Sequence, residues 1–178
     1  MNFEEFDAHF ETFQATAFHL ETLPSYSDET EDAELALFLA GKPLPERSTR
    51  TEPWLKRVAD TTAAGKRWQR VHVVSHPLTD YLRFELAGYE ANAAAGEDVR
   101  IASRDAHPDL AGLRRDFWLL DADTPEPLAL LMRYDAAGRL TGFEQTTSPD
   151  IISQCLHERD LAIARSVPLH EYTVSLEA

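Results

Sequence analysis

Cysteine is almost missing from this 178-residue chain. Cys155 stands alone, which excludes an internal disulfide and any cysteine-built metal cluster. Long apolar runs are missing too: no stretch approaches the roughly 18 consecutive apolar residues of a membrane helix. Positive charge is scarce, with 17 basic residues against 31 acidic ones and a net charge of −14. A field of that sign repels phosphate backbones, and so few basic side chains cannot supply affinity by counterion release. Direct nucleic-acid binding is therefore not expected. The acidic surface either serves solubility alone or complements a basic partner such as a DNA-binding protein. The amino terminus, Met1-Asn2-Phe3-Glu4-Glu5-Phe6-Asp7, is acidic and amphipathic, whereas a signal peptide starts basic and turns apolar. The expected location is the cytoplasm, with no membrane partner.

The usual chemical signatures are also missing. There is no Gly-x-Gly-x-x-Gly and no Gly-x-x-x-x-Gly-Lys-Ser/Thr loop to cradle phosphate, and no His-Glu-x-x-His. A Gly-x-Ser-x-Gly elbow does not occur either. His72 and His76 are four apart, but one lies in a predicted strand and the other precedes Pro77, so they need not converge on a metal. Cys155, on a helix face beside Ile151 and Leu156, reads as a small core residue rather than a nucleophile. No cofactor and no metal ligand set is expected.

What is present suits one domain with a proper core: the length is adequate, 43% of residues are hydrophobic and 27% charged. The centre is residues 68–102. Val71, Val73 and Val74 form a β-branched run that Pro77 stops. Thr79 or Ser75 can cap a following helix through Tyr81, Leu82, Glu85, Leu86 and Tyr89, which Gly96 ends. Val99 and Ile101 then alternate with charged neighbours as a second strand, parallel to the first because the connection is long enough for a crossover. Before this unit, Phe3, Phe6, Phe10 and Phe13 recur at helical spacing and predict an N-terminal helix with a core-facing stripe, broken by Pro24. An exposed stripe would instead be a docking helix. Further helices are expected over Asp28–Ala40 and from Thr51-Glu52-Pro53-Trp54 to Gly65, separated by a proline-containing loop at 41–53. Phe117–Leu120 reads as a buried strand, 128–134 and 140–146 as a hairpin around Asp135–Gly138, and a helix runs from Ser148-Pro149 to before Pro168. The fold class is α/β, a mixed sheet flanked by helices, with a helical N-terminal part at 1–66 and an α/β part at 67–178.

The best candidate site is charged. Arg70 and His72 share one side of the central strand. On the next helix Tyr81 and Glu85 are four apart, with Arg83 off that stripe. Asp116 and Asp121 flank the apolar strand of the second half. In an open α/β sheet the carboxyl ends of strands form the natural crevice. A pocket lined by Tyr81, Arg83 and Glu85 with Asp121 could hold a small polar ligand or a partner's side chain. The same residues could equally form an ion-pair network tying helix to sheet.

Arg70–Leu86, with Ala95–Arg100 and Asp116–Asp121, resembles an uncharacterised actinobacterial family, a domain of unknown function. Leu20–Tyr26 and the closing Val167–Tyr172 fit the same family, so the resemblance covers nearly the whole chain. It implies a regulatory setting, since members of that family look to be encoded beside helix-turn-helix regulators. The order of elements is also similar to half of the phospholipase D-like fold. That superfamily's catalysis needs His-x-Lys-x-x-x-x-Asp, and no histidine here is followed two residues later by lysine. The expected function is a non-enzymatic companion of a helix-turn-helix regulator, acting through protein contacts, with a homodimer compatible. A small-ligand sensor using the same crevice is the second class, and an enzyme of unrecognised type the third.

Overall fold

The sequence alternates over Thr16-Ala17-Phe18-His19-Leu20-Glu21, and this short segment, β1, is the centre of the sheet. In the computed structural model, which describes residues 2–177, strands β1 (Thr16–Glu21), β2 (Arg67–Val74) and β3 (Glu97–Ser103) run parallel side by side. Strands β4 (Phe117–Leu120), β5 (Leu128–Tyr134) and β6 (Leu140–Thr146) extend from β1 as an antiparallel meander. A three-residue strand, β7 (Ser166–Pro168), pairs antiparallel with β3 at the other edge. The order is therefore β6-β5-β4-β1-β2-β3-β7, a mixed sheet as expected.

Six helices cover it: α1 (Phe3–Thr12), α2 (Glu29–Leu39), α3 (Pro53–Ala63), α4 (Asp80–Ala95), α5 (Pro149–Ala164) and α6 (Leu169–Glu177). The pleat sorts side chains between two faces. Phe18, Leu20, Val71, Val73, Phe117 and Leu119 point to α5, where Ile152, Cys155 and Ala162 meet them. Ala17, Trp68, Trp118, Leu120 and Leu130 point the other way, against Phe6, Phe10 and Phe13 of the N-terminal segment and Leu55 and Val58 of α3. Helix α4 packs beside them on that second face, with α6 against its outer flank through Leu169 and Tyr172.

The central strand–helix–strand unit is as the sequence predicts. Thr79 Oγ1 accepts the Leu82 amide hydrogen at 3.1 Å, and Gly96 closes α4 at φ +107°. Two expectations are corrected. The N-terminal part is not purely helical, because α1 stops at Thr12 and β1 enters the sheet between β2 and β4. Phenylalanine every three or four residues is a helical signal only to Phe13; beyond it the apolar period is two. The aromatic stripe is core for Phe6, Phe10 and Phe13, whereas Phe3 is 68% exposed at the first turn. Cys155 is fully buried, and burial pushes its thiol up to about 11, in keeping with an inert core residue.

Phe10 contacts three tryptophan rings, those of Trp54, Trp68 and Trp118. Phe10→Ala is expected to cost about 3–5 kcal/mol in urea unfolding, whereas Phe3→Ala should stay within about 0.5 kcal/mol. Equal costs at the two positions would refute this division of the stripe.

Candidate functional site

Alternation on β1 puts His19 and Glu21 on the face that carries Arg70 and His72 of β2, because His19 pairs with Arg70 and Glu21 with His72 across the parallel ladder. Above them α4 presents Tyr81, Glu85, Tyr89 and Asn92, one stripe at steps of four, four and three. His19, Glu21 and Arg70 form the floor, and Tyr81, Glu85 and Asn92 one wall, of a crevice of about 650 Å³, with His72 and Tyr89 beneath its surface. The Tyr26–Glu31 segment and the β5–β6 hairpin form the opposite rim, through Glu31, Met132, Tyr134 and Leu140.

The floor is ionic. Arg70 Nη1 donates to Glu21 at 2.8 Å, and its Nε donates to Glu97 at 2.9 Å. Asn92 donates to the other Glu97 oxygen at 2.7 Å, and the Tyr89 hydroxyl donates to Glu21 at 2.8 Å. Burial is the largest influence on Glu21 and works against its charge, but Arg70, together with the neighbouring His72 and the Tyr89 hydrogen bond, overcomes it and holds the carboxyl well below its usual range. His72 Nδ1 lies 2.8 Å from the Tyr89 hydroxyl, and its Nε2 lies 3.1 Å from the Leu23 carbonyl oxygen. Tyr89 has a single proton, so satisfying all three contacts at once takes a proton on each ring nitrogen of His72. His19 is different: it stacks on Trp118 at 4.1 Å, neither ring nitrogen has a hydrogen-bond partner, and burial drives its pKa down to about 3. It is neutral.

The walls carry acids in a different state. Glu31 accepts from the Tyr81 hydroxyl at 3.0 Å, and burial pushes its pKa upward. Glu85 is 8% exposed and, among the described residues, makes no hydrogen bond and no ion pair. Burial first, then Glu31 and Glu21, raise it to about 8, against the weaker pull of Arg70 and Arg47. Asp116 stands one step behind the rim. Its carboxylate accepts from the Thr22 amide and hydroxyl and from the Tyr26 hydroxyl, which fixes Tyr26 in the wall.

Five of the seven residues singled out from sequence, Arg70, His72, Tyr81, Glu85 and Asp116, are thus brought into or directly behind one crevice. Two are not. Arg83 is exposed and donates to Asp80 at 3.0 Å; two residues along a helix turn the side chain about 200° away from Tyr81 and Glu85. Asp121 lies at the far end of β1, where its carboxylate accepts from the backbone amides of Gln14, Ala15 and Thr16. The cause is strand direction: β4 is antiparallel to β1, so its Phe117 end meets Leu20 and its Leu120 end meets Ala17. His19, Glu21, Tyr26, Glu31 and Tyr134 were not anticipated. The alternation over residues 16–21 is the signal that could have found the first two.

Residues 4–174 match the family described as a domain of unknown function, DUF6879. The chain belongs to that family. Nothing among curated proteins matches it. The DUF6879 crevice therefore has to be read from its own chemistry, an ion-paired floor beneath an unpaired acid and a rim of tyrosines. His72 and His76 part company in the DUF6879 fold, the first buried under Tyr89 and the second exposed beside Asp105.

A carboxyl whose folded pKa is raised adds stability that is fully present below its unfolded value and is lost as pH rises through the folded one. Glu85→Gln should therefore stabilise the protein by on the order of a few kcal/mol above pH 8 and change little near pH 4. Urea titrations across that range check this, and a flat difference would refute it. Arg70→Met leaves Glu21 and Glu97 buried without a counter-charge, and should cost about 3–5 kcal/mol at pH 7.

Proposed function

We propose that this chain is a non-enzymatic regulatory binding protein, and that the crevice over β1 and β2 holds a small polar ligand. One observation carries the reading: Glu85 is kept buried on the crevice wall without a partner. A carboxyl in that state costs the fold stability at neutral pH and makes no internal contact that offsets it. Such local inconsistencies belong at sites that answer to something outside the chain. The volume of about 650 Å³ falls in the range of small-molecule sites.

A second reading is a companion of a helix-turn-helix regulator, docking a basic segment across the same opening. It is favoured by Phe3 and Leu140, which line the opening and are 68% and 39% exposed, and by the net charge of −14. The regulatory setting itself comes from the resemblance to an actinobacterial family encoded beside such regulators. A relation to half of the phospholipase D-like fold is a proposal about ancestry and adds no chemistry, because the His-x-Lys element is missing.

The test is a thermal-shift screen of small polar metabolites on the wild type and on a folded Met132→Trp variant, whose indole fills the crevice. A ligand at 100 times its Kd stabilises the folded state by about 2.7 kcal/mol, or roughly 5–10 °C for a chain of this size. Compounds that shift the wild type and leave Met132→Trp unmoved support the proposal. A library in which none separates the two proteins overturns it. Retention of a helix-turn-helix regulator by the wild type, lost in Phe3→Glu/Leu140→Glu, would favour the second reading instead.

A further inference from the structure

We infer that the ligand of this crevice is a small organic cation, an amine held by Glu85 and Glu31 among the rings of Tyr26, Tyr81 and Tyr134. The inference rests on the crevice being a binding site and names the class of molecule that fits it.

Charge decides the class. The crevice is lined by five carboxylates, those of Glu21, Asp28, Glu29, Glu31 and Glu85, and by three guanidinium groups. Of the three, Arg70 is already saturated by Glu21 and Glu97, Arg139 is exposed at the rim, and the half-buried Arg47 acts on Glu31 and Glu85, drawing both pKa values down. An anionic ligand would meet Glu85 and Glu31 with Arg47 as the one half-buried guanidinium to receive it, against five carboxylates in the lining. A neutral ligand would leave both acids uncompensated. A cation removes the repulsion between them and gives the buried Glu85 carboxylate the partner it lacks, where a charge-assisted hydrogen bond is strong. The aromatic lining points the same way, since ring faces attract cations. The Tyr26 ring centroid lies 5.8 Å from that of Tyr81 and 5.1 Å from that of Tyr134, and Trp54 also lines the crevice. The hydroxyl of Tyr81 donates to Glu31, which fixes one carboxylate in place before any ligand arrives.

Binding of this kind releases protons. Glu85 faces Glu31 of α2, Glu21 of β1, Arg70 of β2 and Arg47 of the loop before α3, with Tyr81 on its own helix. Its raised pKa leaves it largely protonated at pH 7, and a bound cation favours the charged form. The released proton goes to buffer.

The experiment is isothermal titration at about 0.15 M salt, where surface charge is screened, with 1,4-diaminobutane, butane-1,4-diol and succinate as probes. The proteins are the wild type, Glu85→Gln, Met132→Trp and a control, Glu90→Gln, on the exposed side of α4. The diamine is expected to bind the wild type and the control alike, and at least about tenfold more weakly to Glu85→Gln. Its heat should change with the ionisation enthalpy of the buffer at pH 7. Equal diamine binding by Glu85→Gln would place the cation on the general acidic surface and overturn the inference. Diol or succinate binding that Met132→Trp abolishes would keep the crevice as a site and overturn the cation class. No binding of any probe at millimolar concentration overturns the inference as well. Because Glu85→Gln should be the more stable protein, misfolding cannot account for its loss of binding.

Discussion

Arg70 holds together both the sheet and the electrostatics above it. From the middle of three parallel strands its guanidinium reaches Glu21 on one neighbour and Glu97 on the other, at 2.8 and 2.9 Å, with Tyr89 of α4 as its third contact at 5.0 Å. A buried ion network of this kind is weak evidence for stability, since well-packed apolar residues often do as well. Its consequence lies elsewhere. Arg70 keeps Glu21 ionised in a site where burial alone would protonate it. Burial pushes up Tyr26, Glu31, Tyr81, Glu85, Tyr89, Asp116 and Tyr134, and the charge on Glu21 adds to the shift of each. The proton inventory of the crevice thus follows from burial first, with the Arg70-held charge on Glu21 as a contribution common to all of these groups.

That dependence divides the acids into two states. Glu21 is charged at neutral pH because it has a partner; Glu85, on the opposite wall, is largely neutral because it has none. The same low dielectric produces both results, strengthening a made pair and penalising an unmade one. His19 extends the pattern. Buried beside the same floor and stacked on Trp118, it gives up its charge altogether. Its depressed pKa opposes folding at low pH, while the raised pKa of Glu85 opposes folding at high pH, so the two groups narrow the range in which the crevice is comfortable from both sides.

Much of this was legible in the residues. Strand alternation is enough to put Arg70 and His72 together, and a step of four on a helix is enough to put Tyr81 with Glu85. What resisted was direction and competition between periods. Whether Asp116 or Asp121 reaches the site depends on β4 running against β1, and no local pattern encodes strand direction. The strand β1 hid behind four phenylalanines at helical spacing, although Phe18 and Leu20 already alternate with His19 and Glu21. Pro168 reads as an end to structure, yet it closes the edge strand β7, a tolerated place for proline, and α6 begins at the next residue.

The outer wall is built differently from the floor. Helix α2 has no buried residue; it is tied to α4 through Glu31 with Tyr81, at 3.0 Å, and Phe38 with Phe84, at 5.8 Å between ring centroids. Its approach segment is held to the hairpin where Gly138, at φ +79°, passes beneath Ser25 and Tyr26. A Cβ there would lie 2.5 Å from the Ser25 carbonyl oxygen, while the Gly138 carbonyl accepts from the Ser27 amide at 3.1 Å. Only glycine satisfies both the positive φ and the close approach. Elements with little buried apolar area open at the lowest free-energy cost, which makes α2 the least firmly packed wall of the crevice. Glu31 rides on that helix and faces Glu85 across the crevice. The charge on Glu31 is among the causes that raise Glu85, so neutralising Glu31, by a proton or by a cation, eases the ionisation of Glu85.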